Sequence, residues 1–388
     1  MRLNPPLLAL AIGAFGIGVT EFAPMGMLPG IASDLGVSIP VAGLLVSAYA
    51  IGVLVGAPLM TILGSRVPRR LLLIGLMGIF TAGNLLSAVA DNYTVLLIAR
   101  IITSLNHGAF FGVGSVVVAS VVAPDRRAGA VAAMFMGLTI ATIGGVPLAA
   151  WVGETLGWRT AFWGIAALGA VAMVSLRLVL PPLRVDAGGN ILGEIRVLAR
   201  GPVLTALVLT VLGSSAMFTV FTYIAPILRD VTLASTEFVT AMLVIYGVGL
   251  TIGNVWGGRA ADRSLDRTLI VSLAALAVLL VIFAGLMQWP VPAAILILLW
   301  GIASFAIVPP LQMRVMEAAG DAPNLASAMN IGAFNLGNAI GAALGGAVIA
   351  AGLGYPAVSL AGAVMAASAL VLVLALQRRS RRAAAPAQ

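Results

Sequence analysis

Long apolar runs separated by short polar breaks make up most of the chain. Each run holds roughly twenty residues or more, enough to cross about 30 Å of hydrocarbon as a helix. Transmembrane strands would instead show short alternating segments. The pattern predicts an all-α integral membrane protein with twelve spans, at approximately 6–30, 41–63, 71–90, 94–122, 128–152, 159–180, 203–228, 237–260, 268–288, 292–314, 324–352 and 356–376.

Composition supports a membrane protein and excludes several other classes. Hydrophobic residues make up 61% of the 388 positions and charged residues only 9%, against about a quarter charged in soluble domains. Cysteine is absent, which excludes disulfides and thiolate metal sites. We find no nucleophile–His–acid set, metal cluster or phosphate loop, so we predict no enzyme activity and no cofactor.

Basic residues are concentrated in alternate polar breaks. One set of breaks contains Arg66, Arg69, Arg70, Arg126, Arg127, Arg184, Arg196, Arg200, Arg259, Arg263, Arg267, Arg314 and four arginines between 378 and 382. The opposite set holds only Arg159 and Arg229. The positive-inside rule therefore predicts cytoplasmic termini and a cytoplasmic central break. The net charge of +8 is explained by topology, so nucleic acid is not an expected partner.

The two halves of the chain repeat each other. Tyr49, Gly52, Gly56, Arg66 and Arg70 recur as Tyr246, Gly249, Gly253, Arg263 and Arg267, at a constant offset of 197, and Pro29 recurs as Pro226. Parallel repeats of this kind are a transporter architecture with the substrate site between the halves. We predict a six-helix bundle at 1–183, a cytoplasmic linker at 184–201, a second six-helix bundle at 202–377 and a basic cytoplasmic tail at 378–388.

Glu21 is the most informative single residue. It is the only ionisable side chain between Leu7 and Leu28, and no other acid lies well inside an apolar run. A charged group at the centre of a membrane helix costs roughly 2.5–3.5 kcal/mol on insertion scales, so an intramembrane acid is a functional hypothesis by default.

The fourth span carries the expected partners of this acid. Arg100, Ser104, His107 and Phe111 follow the spacing of one helix face, and His107 is the only histidine. At about 1.5 Å per residue, Glu21 and Arg100 reach the same membrane depth, with His107 two turns nearer the cytoplasm. Imidazole titrates near neutral pH. We predict proton coupling by Glu21, Arg100 and His107; a packing role is the alternative for His107.

The residues also resemble a known family. Twelve spans in two halves, with arginine-rich loops after spans two and eight, resemble the major facilitator superfamily. The segments TEFAPMGMLPGIASDLGVS, SAYAIGVLVGAPL, NHGAFFG and GVPLAAWVGETLGWRTAFW resemble its twelve-span drug:proton antiporters, among them sugar, purine and chloramphenicol exporters. The resemblance implies efflux of a small solute in exchange for protons across a bacterial inner membrane, with spans one and four lining a central cavity. It also places Arg100 in a motif linked to proton transfer.

Two further motifs follow from the resemblance. The loop after span two usually reads G-x-x-x-D-R-x-G-R-R; this chain keeps Arg66, Arg69 and Arg70 but lacks both glycines and the acid, whereas the second copy keeps Gly258, Asp262, Arg263 and Arg267. We expect these gating loops to pair arginines with carboxylates and helix C-termini; topology alone is the alternative. In span five, Gly144, Gly145 and Pro147 resemble a degenerate antiporter signature, which predicts close helix packing and a bend.

The substrate is not identified by the sequence. The residues predicted to line its cavity are Tyr49, Asn106, Phe111, Phe218, Phe221, Tyr223, Tyr246, Gln312, Asn330, Phe334 and Asn338. Neutral sugars, nucleosides, chloramphenicol-like amphiphiles and lipophilic cations all remain candidates. The alternatives are a proton symporter or facilitator that imports a solute, and a receptor or scaffold that does not transport. We expect a monomer in the bilayer whose partner is a small molecule.

Overall fold

The computed structural model describes residues 5–64, 66–123, 127–181, 200–320 and 323–384. Within these ranges twelve helical segments are long and apolar enough to cross a membrane, and no strand is present. The prediction of a twelve-span, all-α membrane protein is therefore confirmed.

Spans 1 to 12 are numbered in chain order. In the first half they are Pro5–Gly26 with the short helix Leu28–Asp34, Ile39–Leu63, Arg69–Ala88, Tyr93–Ser104 with His107–Ser120, Arg127–Ile140 with Val146–Thr155, and Trp158–Val179. In the second half they are Gly201–Phe221 with Ile224–Asp230, Thr236–Ala261, Leu265–Leu286, Pro290–Ala306 with Val308–Ala319, Pro323–Ala350, and Gly354–Ala384.

The described residues form two compact units. Unit 1 contains spans 1 to 6 together with Ser235–Val244, and unit 2 contains the remainder of spans 7 to 12. Most of the predicted linker at 184–201 lies outside the described residues, as do Arg126, Arg184 and Arg196. The predicted domain limits therefore stay a prediction.

Several spans are interrupted, and most interruptions precede a proline. A π-helical turn at Ala141–Gly145 precedes Pro147 in span 5. Span 1 breaks at Met27, just before Pro29, and span 10 breaks before Pro309. Proline cannot donate an N–H, and its ring clashes with the carbonyl four residues earlier. The bend predicted at Pro147 is thus accommodated by a wider turn immediately before it.

Span 4 corrects the prediction of one continuous helix. Its helix ends at Ser104 and resumes at His107, with a turn at Leu105 and Asn106 between them. No proline or glycine marks this turn in the sequence. Leu105 and Asn106 keep right-handed helical dihedral angles, so the break in the helix between Arg100 and His107 is local.

Glycines allow neighbouring spans to approach each other closely. A Cβ atom added at Gly341 of span 11 would lie 2.7 Å from the Ser215 carbonyl oxygen of span 7, and one at Gly145 would lie 2.4 Å from Val19 Cγ2 of span 1. Gly144 differs, because it is exposed and a Cβ there meets no atom within 4 Å. Gly144 therefore does not have the close-packing role that was predicted for it. Gly145 does pack closely, against span 1.

Candidate functional site

Unit 1 buries a group of polar side chains contributed by spans 1, 2 and 4. We call Glu21, Tyr49, Arg100 and His107 the Glu21 cluster; each is at most 4% exposed. His107 Nε2 lies 4.0 Å from Glu21 Oε2, and the Tyr49 hydroxyl lies 3.2 Å from His107 Nδ1. When Tyr49 donates to Nδ1 of a neutral imidazole, Nε2 carries the hydrogen and faces the carboxylate. The imidazole thus stands between an acid and a phenol.

Arg100 does not bind the acid in the way that the sequence predicted. Its Nη1 donates to the Thr20 carbonyl oxygen at 2.8 Å and to Thr20 Oγ1 at 3.3 Å. Its Cζ lies 4.2 Å from the centroid of the Tyr49 ring, a cation–π contact. In the described chain its Nε and Nη2 make no hydrogen bond. Arg100 is therefore anchored to the residue before Glu21, and His107 is the cluster member whose ring nitrogen lies beside the carboxylate.

Close packing of spans 2 and 4 brings this cluster together. A Cβ atom at Gly52 would lie 1.9 Å from Ser104 Oγ, and one at Gly56 would lie 2.8 Å from Leu105 Cα. Tyr49 lies almost one helical turn before Gly52, so the same approach carries its ring over Arg100. His107, three residues after Ser104, lies beside Tyr49.

Residues outside the predicted set complete the surroundings of the cluster. The Thr20 hydroxyl donates to Asn84 Oδ1 at 2.7 Å, which fixes the group that receives Arg100. Phe135 stacks on Phe111 at 4.9 Å, and Phe111 lies 5.3 Å from the His107 ring. Sequence reasoning missed Asn84 and Phe135. A polar amide inside an apolar span was a usable signal for Asn84, whereas Phe135 had none.

The aromatic residues predicted for the second half pack together inside unit 2. Phe221 stacks on Tyr246 with ring centroids 4.4 Å apart, and Trp300 lies 4.7 Å from Tyr246. Phe218 contacts both Phe221, at 6.4 Å, and Phe334, at 5.6 Å. Trp300 was not predicted, although it is 1% exposed and central to the group.

Gln312, Asn330 and Tyr223 make hydrogen bonds within unit 2, whereas Asn106 and Asn338 have buried amide atoms without one among the described residues. Thr210 Oγ1 donates to Asn330 Oδ1, and Asn330 Nδ2 donates to Gln312 Oε1, both at 2.6 Å. Tyr223 donates to the Ala342 carbonyl oxygen at 2.7 Å. Among described residues, the side-chain amide atoms of buried Asn106 and the Oδ1 of buried Asn338 lack a hydrogen-bond partner. Contact of these residues with substrate stays a prediction.

One arginine of the predicted gating loops, Arg70, contacts a helix C-terminus, and an arginine–carboxylate pair forms outside the predicted set. Arg70 donates from Nη2 to the Arg177 carbonyl oxygen, in the last turn of span 6. In the second half, Arg314 Nη1 lies 2.7 Å from Asp266 Oδ1. Arg66, Asp262, Arg263 and Arg267 are exposed, and Arg69 is half-buried. The Asp266–Arg314 pair was missed, because its partners are 48 residues apart.

In each unit a polar contact joins the last residue of the short helix in the first span to the beginning of the last span. In unit 1, Arg159 and Trp158 donate to Asp34 Oδ2. The hydrogen bond from Arg159 is the main reason that the pKa of Asp34 lies below its usual value of 3.8. In unit 2, Tyr355 donates to Asp230 Oδ2 at 2.8 Å.

Comparison with known proteins identifies the family. A family model described as Major Facilitator Superfamily matches residues 10–331. The chain belongs to this superfamily and is a membrane transporter of small solutes.

Its relatives span nearly its whole length. "Inner membrane transport protein YdhP" from Escherichia coli (strain K12) is 58% identical over 379 residues, covering 98% of this chain and 97% of the relative. "Chloramphenicol resistance protein" from Streptomyces lividans is 34% identical over 375 residues, covering 96% and 94%. The crystal structure of a D-xylose-proton symporter superposes with a TM-score of 0.77 at 16% identity, covering 94% of this chain and 97% of that one. The last similarity concerns the fold alone.

Proposed function

We propose that this transporter exports a small organic solute in exchange for protons by alternating access, and that Glu21 carries the proton. The observation that supports this most is the position of His107 Nε2, 4.0 Å from the buried Glu21 carboxylate. Proton exchange at a membrane-buried acid requires a group that gives up and accepts a proton beside it. An imidazole between a carboxylate and a phenol has that chemistry.

The charge of Glu21 is what couples the proton to movement of the spans. A protonated carboxyl group is neutral and costs little inside apolar spans, whereas a carboxylate costs several kcal/mol without compensation. The two protonation states therefore favour different surroundings, and a solute that binds one arrangement better shifts the same equilibrium. Arg100 supplies a fixed positive charge, held to span 1 through the Thr20 carbonyl.

Efflux is favoured over uptake by similarity alone. A relative 34% identical to the chain is called a chloramphenicol resistance protein. The alternative is proton symport, and the D-xylose-proton symporter has the same fold. In everted vesicles with an acidic lumen, an antiporter accumulates labelled solute and a proton symporter expels it. Net expulsion would reject the proposed direction and leave the role of Glu21 open.

The role of Glu21 is tested by Glu21→Gln in proteoliposomes. The probe is the first solute that shifts the melting temperature of the purified protein in a panel of sugars, purines and antibiotics. We expect accumulation driven by a pH gradient to fall by roughly two orders of magnitude, the scale of a lost acid–base group. Counterflow without a gradient should fall as well, because Gln mimics the protonated acid, the form from which an antiporter has released its solute.

Asp34→Asn is the matched control, since it neutralises an acid in the helix that follows span 1. It should keep gradient-driven accumulation. His107→Asn should flatten the pH profile while leaving counterflow. Full coupled exchange by Glu21→Gln would show that another group carries the proton.

A further inference from the structure

Unit 2 carries an apolar groove that the Glu21 cluster does not use. Spans 8, 9 and 10 enclose about 500 Å³ between Ile252, Trp256, Val271, Val278, Leu299 and Ile302. The first five of these are between 41% and 57% exposed. Exposed apolar side chains within a membrane span face hydrocarbon. The volume lies within the range of a specific ligand site, so the groove has room for one long hydrocarbon chain.

Two arginines lie at one end of the groove, on the same helix faces as the residues that line it. On span 8, Ile252, Trp256 and Arg259 follow one helix face, and on span 9 Arg267 lies one turn before Val271 on the same face. Both arginines are exposed.

The acids in the same loop only partly balance this charge. Asp266 is paired with Arg314 at 2.7 Å. Asp262 and Arg263 are exposed and offset each other. The open end of the groove is therefore net positive, which favours a ligand with an anionic head and an apolar tail.

Ser272 adds a polar group inside the groove. It lines the cavity, is 2% exposed, and its hydroxyl has no hydrogen-bond partner in the described part of the chain. It follows Arg267 by five residues, about 7.5 Å along the helix axis. In a phospholipid, the ester carbonyls lie one glycerol unit below the phosphate. A lipid whose phosphate meets the arginines thus brings a carbonyl acceptor to the level of Ser272.

We propose that this groove binds one anionic phospholipid of the bilayer. Its phosphate contacts Arg259 and Arg267, an ester carbonyl accepts from Ser272, and one acyl chain lies along Trp256 between spans 8, 9 and 10. The two guanidinium groups disfavour a zwitterionic headgroup, because its ammonium would lie beside them. The inference is independent of what the protein transports.

Retention of lipid by the purified full chain tests the proposal. Native mass spectrometry would compare dioleoylphosphatidylglycerol with dioleoylphosphatidylcholine. We expect the anionic lipid to be retained preferentially, and Arg259→Gln to weaken its retention about fivefold, the effect of one basic residue near a membrane surface. Arg66→Gln is the matched control, because Arg66 is exposed in the corresponding loop of the first half. Equal retention of both lipids, or equal effects of the two variants, would overturn the proposal.

A second measurement tests the acyl-chain part without changing charge. Ala275 also lines the groove, and Ala275→Phe should reduce retention of the anionic lipid by blocking the chain. Melting temperature and circular dichroism would establish that each variant is folded. The fluorescence of Trp256 is obtained as the difference between the wild type and Trp256→Phe. Brominated phosphatidylglycerol should quench this fluorescence more strongly than brominated phosphatidylcholine does. If free glycerophosphate displaces the lipid, or if Ala275→Phe retains the anionic lipid fully, the groove does not bind the acyl chain.

Discussion

The two units place different chemistry at equivalent positions. At the offset of 197, Glu21, Arg100 and His107 of unit 1 correspond to Phe218, Ile297 and Ser304 of unit 2, whereas Tyr49 corresponds to Tyr246. All of these positions are buried. The polar supports change as well, since Thr20 and Asn84 correspond to Met217 and Val281. One unit holds ionisable groups, and the other holds an aromatic group around Tyr246 and Trp300.

Some backbone contacts, in contrast, are retained. Gly56 meets Leu105 in unit 1, and Gly253 meets Ile302 in unit 2, with both partners related by the same offset. Gly157 and Gly354 both have positive φ, at 91° and 79°. A close backbone approach leaves no room for a Cβ atom, and a left-handed turn is strained by one, so both favour glycine. Side chains directed into each unit differ more, and the buried ionisable groups Glu21, Arg100 and His107 lie in unit 1.

The largest expected effect comes from Ile297→Arg, which gives unit 2 the arginine of unit 1. Ile297 is completely buried, and its unit offers Phe218 where unit 1 has an acid. We expect a loss of about 3 kcal/mol in folding stability, the cost of an uncompensated charge in a span. Thermal unfolding in detergent would measure it. Adding Phe218→Glu should recover part of the loss, and a single variant as stable as wild type would show that unit 2 accommodates a charge.

A smaller effect distinguishes two equivalent glycines. Gly341→Ala should cost about 1–3 kcal/mol, because the new methyl group meets the backbone of span 7 and well-packed interiors resist added volume. Gly144→Ala is the matched control at the same offset, and it should leave the melting temperature nearly unchanged, since no atom lies within 4 Å of the added carbon. Equal melting temperatures for the two variants would contradict the packing difference between the units.

The fold was predictable because its main determinants are local. The length and hydropathy of each run define a span, and constant spacing between the halves reveals the repeat. Glu21 was identifiable for the same reason, since an acid within an apolar run is costly wherever it points. None of these arguments needs the direction of a side chain.

The contacts inside the site needed information that the sequence does not carry. Arg100 and Glu21 were expected to pair because their depths agree, yet Arg100 binds the Thr20 carbonyl. His107 lies beside Glu21 and Tyr49 just after the turn at Leu105 and Asn106, and neither turn residue is a proline or a glycine. The depth of a residue in the membrane can be calculated from its position in the sequence. The rotation of a helix about its axis, and the place where a helix is interrupted, depend on packing against other spans.

A third difference concerns the turns that follow the first span of each unit. Gly36 and Leu233 are equivalent by the offset, and both are left-handed, with φ of 62° and 55°. Such a conformation costs a residue with a Cβ atom about 1–2 kcal/mol. Leu233→Gly should therefore raise the free energy of unfolding by about 1 kcal/mol, and Gly36→Ala should lower it by a similar amount. Thermal unfolding would measure both changes. A lower melting temperature for Leu233→Gly would show that its exposed side chain contributes more than the strain costs.

The smallest expected effect concerns the polar contacts of Asp34 in unit 1 and Asp230 in unit 2, which differ in the charge of their partners. The side chains of Asp34 and Arg159 are 46% and 35% exposed, so Asp34→Asn should cost no more than about 1 kcal/mol at neutral pH.

The pH dependence of this cost gives the contact of Asp34 its own signature. Because the folded pKa of Asp34 is lowered from 3.8, its contribution is complete above about pH 4 and is lost as the pH falls through the folded value. The melting temperatures of wild type and Asp34→Asn should thus converge in acid. Asp230→Asn is the control, because Asp230 accepts from the neutral hydroxyl of Tyr355 and an amide oxygen still accepts. A difference for Asp34→Asn that stays constant as the pH is lowered to the acid limit of folding would mean that Arg159 stabilises the unit through packing rather than through the charge of Asp34.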